Sequence, residues 1–150
     1  MKLKKILKRK GYTSIKLKPT ITNHFEVKAS INGIKGRFIL DTGASNSCID
    51  FKDADFFKLN VESSKTLASG AGATDMVTQQ SLSNKINIKN WYFLNLHLVL
   101  FDLSHVNTAL TQHKAKAVHG IIGADILQKG KAIIDYKNNR LYLKKLVYKL

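Results

Sequence analysis

The dipeptide Asn32-Gly33 separates two runs that are built to pair with each other. Phe25-Glu26-Val27-Lys28-Ala29-Ser30-Ile31 alternates apolar and other residues, and Lys35-Gly36-Arg37-Phe38-Ile39-Leu40 follows the dipeptide. Asn-Gly supplies the positive φ angles of a tight hairpin turn, so the two runs return on each other as antiparallel strands. The rest of the chain repeats this short-strand-and-turn pattern. A single proline in 150 residues, Pro19, leaves nearly all of the backbone free to join a sheet. The pattern predicts a mostly β fold.

Downstream of the hairpin, Asp50 is placed to cap a short helix over Phe51 to Lys58. Thr66 to Val77 reads as a second hairpin whose tip holds Gly70, Ala71 and Gly72, a mobile element by composition. Lys85 to Lys89 and Trp91 to Phe101 read as strands joined through Asn90, and Ser104 to Val118 as a long surface loop. Val118-His119-Gly120-Ile121-Ile122-Gly123 reads as a buried strand, followed by a short helix over Ala124 to Lys129 that Gly130 closes. Ala132 to Tyr136 and Arg140 to Leu143 form a last hairpin around Lys137-Asn138-Asn139.

With 44% hydrophobic residues the chain has enough apolar material for one ordinary domain, and no room for a second of similar size. Its lone cysteine, Cys48, cannot close an internal disulfide, which fits a reducing compartment. The start, MKLKKILKRKGY, offers only Leu3, Ile6 and Leu7 between its basic residues, unlike the continuous apolar stretch of a secretory signal. The longest apolar stretch, Trp91 to Phe101, is too short to span a bilayer. A cytoplasmic location is expected.

The formal charge is +15, which raises the question of nucleic acid. Eight of the cations lie within the first 18 positions with no acid among them, and another group follows Lys131. This distribution describes a basic N-terminal extension over residues 1–20 attached to a domain at 21–150; it favours a solvated basic tail or a docking surface for an acidic partner over specific nucleic-acid binding, which would run through that extension. Leu3, Ile6 and Leu7 fall at helical spacing, so a short basic amphipathic helix, on a membrane surface or on the protein itself, is also consistent with it. His24, His97, His105, His113 and His119 show no close ligand spacing, and no metal or cofactor is expected.

The chemistry concentrates in Phe38-Ile39-Leu40-Asp41-Thr42-Gly43-Ala44-Ser45. Three apolar residues precede Asp-Thr-Gly, and Ile121-Ile122-Gly123 recurs about eighty residues later before a short helix, with the glycine-rich hairpin between them. In this order the chain, from Phe25 to Leu143, resembles the single-domain retropepsin-like aspartyl proteases, retroviral enzymes and their bacterial relatives. The resemblance implies an acid-protease β-barrel, closed or partly closed, with one short helix after the Ile121-Ile122-Gly123 strand.

It also implies an aspartic endopeptidase that hydrolyses polypeptides without cofactor or metal. Two carboxylates a few ångströms apart cannot both ionise easily and share a proton, so one takes a proton from water while the other gives one to the carbonyl oxygen. The sequence contains one such motif, so the second carboxylate has to come from a second copy through a two-fold axis, making a homodimer. By resemblance Asp41 is the catalytic group. Thr42, Gly43, Ala44 and Ser45 shape its loop, Gly70, Ala71 and Gly72 form a flap over substrate, and Ile121, Ile122 and Gly123 support the loop from beneath. Retroviral proteases carry an acidic residue where Ser45 stands and an arginine where Ala124 stands, so that ion pair is absent here. The alternative is an inactive member of the fold, a binding or dimerisation module whose basic surface engages nucleic acid or an acidic partner.

Overall fold

The computed structural model describes residues 2–70 and 73–147, with side chains described outside residues 63–77. In chain order the elements are α1 (Lys2–Arg9), β1 (Tyr12–Lys16), β2 (Lys18–Pro19), β3 (Phe25–Ile31), β4 (Ile34–Leu40), β5 (Cys48–Asp50), β6 (Glu62–Gly70), β7 (Ala73–Ile88), β8 (Trp91–Phe101), α2 (Ser104–Gln112), β9 (Gly120–Ile122), α3 (Ala124–Lys129), β10 (Ile133–Asp135) and β11 (Arg140–Lys144).

Six strands close a barrel in the order β3-β4-β9-β5-β8-β7, with β7 returning to β3 through the pairs Ser30↔Asn87 and Ile31↔Ile86. The first hairpin forms as its sequence requires: Asn32 and Gly33 sit at φ 52 and 84, and Ile31 pairs with Ile34. Asn32 does more than turn the chain. Its Nδ2 donates to the carbonyl of Phe57 at 3.0 Å and to Asn84 Oδ1 at 2.9 Å, and its Oδ1 accepts from the Lys85 amide at 3.0 Å, so the turn also seals the barrel.

The closure needs a bend in β7, which at 16 residues is too long to stay in one flat sheet. The register shifts on either side of Asn84, and Ser83 takes φ 61, which marks a bulge that redirects the strand. Buried Asn84 donates to the carbonyl and the hydroxyl of Ser81 and fixes the bend.

A second, three-stranded sheet runs β1-β11-β10. All five residues of β1 pair with β11, Tyr12 opposite Lys144 through Lys16 opposite Arg140, so residues 12–16 of the basic start are woven into the sheet. Ile15, Leu141 and Leu143 from this sheet join Val27, Phe38, Ile49, Phe57, Leu98 and Leu100 from the barrel in one core. Trp91 is fully buried there and donates its indole N–H to the carbonyl of Lys144 at 2.8 Å, tying the two sheets together. Burying side chains of this size is worth roughly 1.5–3 kcal/mol each.

Two expectations need correction. Residues 104–118 do not form one long loop, because residues 104–112 are α2. Leu103, Val106 and Leu110 fall at helical spacing and pack on Cys48, Ile121, Ile39 and Val118, while Asp102 Oδ1 accepts from the Ser104 amide at 2.8 Å and starts the helix. The helix expected over residues 51–58 shortens to a 3-10 turn at Phe51–Asp53. Asp50 does cap it, accepting from the Lys52 amide at 3.4 Å, but Phe57 is drawn into the barrel against Phe38 and Lys58 turns at φ 56. Among the described residues no helix is long and apolar enough to cross a membrane.

Candidate active site

Asp41 is the first residue beyond β4, and its position is set by strand pairing. β4 runs parallel to β9, with Phe38, Ile39 and Leu40 opposite Gly120, Ile121 and Ile122, and the Asp41 amide extends this ladder by donating to the carbonyl of Ile122 at 2.9 Å. The chain then turns sharply. Asp41 Oδ1 accepts from the Gly43 amide at 2.9 Å, and the Asp41 carbonyl accepts from the Ala44 amide at 3.2 Å. Asp41, Thr42 and Gly43 are exposed, so the carboxylate is anchored by its own turn yet faces outward.

The far side of the loop is clipped to the start of α3. The Ala44 carbonyl accepts from the Ala124 amide at 2.7 Å, and Ser47 Oγ accepts from the Gly123 amide at 2.9 Å. Ser47 in turn donates to Asp125, from its hydroxyl to Oδ1 at 2.8 Å and from its amide to Oδ2 at 3.0 Å. Asp125 Oδ1 also accepts from the Ile126 amide at 2.9 Å. A β-carbon at Gly123 would stand 2.6 Å from the Ala44 carbonyl oxygen, so only glycine lets the two segments come this close.

Beneath the loop, successive residues of β9 face opposite ways, as strand geometry requires. Ile122 packs in the main core with Leu40, whereas Ile121 packs with Cys48 and Leu103, and Ala44 rests on that group. Cys48 is buried here, and burial above all pushes its thiol up to about 12; a hydrogen bond with Ile121 opposes this, and Asp125, Asp41 and Asp50 nearby add to it. It stays protonated, and so is a small core residue and not a nucleophile.

The structure therefore brings Asp41, Thr42, Gly43, Ala44 and Ser45 together with Ile121, Ile122 and Gly123. Gly70 ends β6 and pairs with Ala73, while Ala71 and Gly72 lie outside the described residues. Ser45 is exposed, and Ala124 holds the loop through its backbone where an ion pair would otherwise stand. Sequence reasoning missed Ser47 and Asp125. The one available sign was an acid in the first turn of α3, which reads as a favourable charge at a helix start and names no partner.

Residues 27–126 match the family described as aspartyl protease. Among solved structures, the chain is similar to a retropepsin-like aspartic protease from Rickettsia conorii, with a TM-score of 0.59 and 19% identity over 90% of this chain and 91% of the other. The EIAV protease, solved with the inhibitor HBY-793, gives a TM-score of 0.56 at 19% identity, covering 85% and 96%. The retroviral protease-like domain of Ddi1 from Leishmania major gives 0.55 at 19%, covering 81% and 88%. A comparison with curated proteins finds no match. With a six-stranded barrel, the aspartyl turn at the end of β4 and a match over two thirds of its length, the chain has the retropepsin-like fold and belongs to the aspartyl protease family.

Proposed function

We propose that this chain is an aspartic endopeptidase that works as a homodimer, with Asp41 of each copy forming one catalytic pair. The observation that carries the proposal is the setting of Asp41: an outward-facing carboxylate on a turn held rigid by Gly123, Ser47 and Asp125. The chain holds one such turn, and a two-fold axis beside it would supply the second.

In the pair, the ionised carboxylate takes a proton from water, and the oxygen attacks the carbonyl carbon of the substrate. The protonated partner gives its proton to the carbonyl oxygen, so a tetrahedral diol forms with charge balanced. The first carboxylate then returns its proton to the amide nitrogen while its partner takes one from a diol hydroxyl, so the carbon–nitrogen bond breaks, a carboxylic acid and an amine leave, and the pair again holds one proton. Thr42 would bond across the axis to hold the two turns in register. Gly43, without a side chain, leaves room for substrate backbone, and the hairpin tip at Gly70, Ala71 and Gly72 would close over an extended peptide and exclude water.

The test is cleavage of a denatured protein or peptide library between pH ~3 and ~7. Activity is expected in the wild type, blocked by a statine-type mimic of the tetrahedral diol and abolished in Asp41→Asn, while mixed dimers of wild type and Asp41→Asn should be inactive. Absence of Asp41-dependent cleavage, or activity in a strictly monomeric protein, would overturn it.

A further inference from the structure

We infer that α1 and the chain ends beside it form a docking surface for an anionic lipid bilayer. Leu3, Ile6 and Leu7 share one face of the helix, at i, i+3 and i+4. Leu7 is spent on the protein, being 6% exposed, whereas Leu3 and Ile6 remain 39% and 49% exposed. The helix thus lies beside β1 of the three-stranded sheet with one apolar side chain buried, and leaves the other two partly open to solvent.

Around this pair the cations are dense. Lys2, Lys4, Lys5, Lys8, Arg9 and Lys10 are all exposed, and no acid precedes Glu26 in the sequence. The fold adds more from the far end of the chain. The Lys145 amide donates to the carbonyl of Gly11 at 3.0 Å, Tyr12 pairs with Lys144, and the Tyr12 hydroxyl donates to the carbonyl of Lys131 at 3.0 Å. Residues 131, 144 and 145 therefore meet the C-terminal end of α1, where exposed Lys131 and Lys145 extend the patch. Among the described residues the one ion pair joins Arg37 to Glu26, and no described carboxylate pairs with these cations.

Charge alone would suit any polyanion. Two aliphatic side chains left bare among the cations select a bilayer, because they can enter the acyl boundary while the lysines reach back to lipid phosphates. A nucleic acid gains nothing from Leu3 and Ile6, and the helix carries no aromatic residue on which a base could stack. The helix docks the chain on the surface without spanning it. This inference stands apart from the peptidase reading.

The experiment is co-sedimentation of the full chain with vesicles of phosphatidylcholine alone, or of phosphatidylcholine mixed two to one with phosphatidylglycerol. Binding is expected only to the mixed vesicles, weakening as salt rises from ~0.1 M to ~0.5 M. Lys4→Glu/Lys5→Glu/Lys8→Glu should lower the partition at least about a hundredfold, since each lysine lost from the surface is worth about fivefold and each glutamate adds repulsion. Leu3→Ser/Ile6→Ser, at positions that are partly exposed, should lower it at least about tenfold in a protein that still unfolds cooperatively in urea. Equal binding to both vesicle types, or none, overturns the proposal. So does an unaltered Leu3→Ser/Ile6→Ser variant together with lysine-dependent binding of an RNA or DNA oligonucleotide, which would assign the surface to nucleic acid.

Discussion

Asp125 accepts two hydrogen bonds from Ser47, 78 residues earlier in the chain, and so joins the loop after Asp41 to the first turn of α3. Ser47 has no exposure to water, and its hydroxyl both donates to Asp125 and accepts from Gly123. Removing the carboxylate leaves a buried hydroxyl and a buried amide without their acceptor, at roughly 1–3 kcal/mol for each such group. Asp125→Ala should therefore lose about 3 kcal/mol in urea unfolding. Asp125→Asn, which keeps one acceptor oxygen, should lose about half as much. If Asp125 also positions the aspartyl turn, kcat should fall at least about tenfold in Asp125→Ala with KM little changed. Wild-type stability in both variants would mean that the link contributes nothing to the fold.

Gly123 and Gly43 should separate packing from substrate access. A β-carbon at Gly123 meets backbone, the Ala44 carbonyl oxygen at 2.6 Å and Asn46 at 3.1 Å, and backbone cannot swing aside as a side chain would. Gly123→Ala is expected to cost about 3 kcal/mol, at the upper end of the range for overpacking. At Gly43 the nearest atom is Asp41 Oδ1 at 3.3 Å, on an exposed turn. Gly43→Ala should change the free energy of unfolding by less than about 0.5 kcal/mol, yet raise KM for a peptide if substrate backbone passes over this residue. A destabilised Gly43→Ala with unaltered KM would place the constraint in the turn itself.

What was legible in the sequence was what short range decides. Asn32-Gly33 forced its hairpin, the apolar run before Asp41 formed β4, and Ile121-Ile122-Gly123 led into α3 closed by Gly130. The partnerships were not legible, because they depend on residues far apart. Nothing near Asn84 announces that it braces a bulge or that Asn32 reaches it across the barrel. Ser47 and Asp125 escaped for the same reason. α2 is not legible because its apolar residues, Val106 and Leu110 with Leu103 just before it, are few and lie among polar residues, so the helical period is weak until the barrel offers a surface for it.

Cys48 should resist thiol reagents until the fold opens. Its thiol is pushed up to about 12 from 9.0, chiefly by burial, so the folded state holds the proton more tightly than the unfolded chain. The linkage has a definite sign: between pH 9.0 and about 12 the unfolded chain releases a proton that the folded state keeps, and stability falls as pH rises through that window. A disulfide reagent at pH ~8 should label the native protein only at the rate of opening, and fully in denaturant. Rapid stoichiometric labelling of the native protein would contradict a sealed thiol.

Asp53 should make the fold respond to acid in the direction opposite to that of a salt-bridged carboxylate. Its Oδ2 is buried without a hydrogen-bond partner, and burial raises its pKa above 3.8, with His119 and Lys52 opposing and Asp50 reinforcing the shift. A raised folded pKa means that the folded state gains from the protonated form. That gain is fully present below 3.8 and is lost as pH rises through the folded value. Asp53→Asn never carries the charge, so its stability relative to wild type should improve as pH is raised from ~3 to ~6 and then level off. Urea midpoints of both proteins across that interval measure the difference. An Asp53→Asn variant that loses stability relative to wild type as the pH rises would show that Asp53 is stabilised as an anion, with His119 and Lys52 the nearest opposing charges.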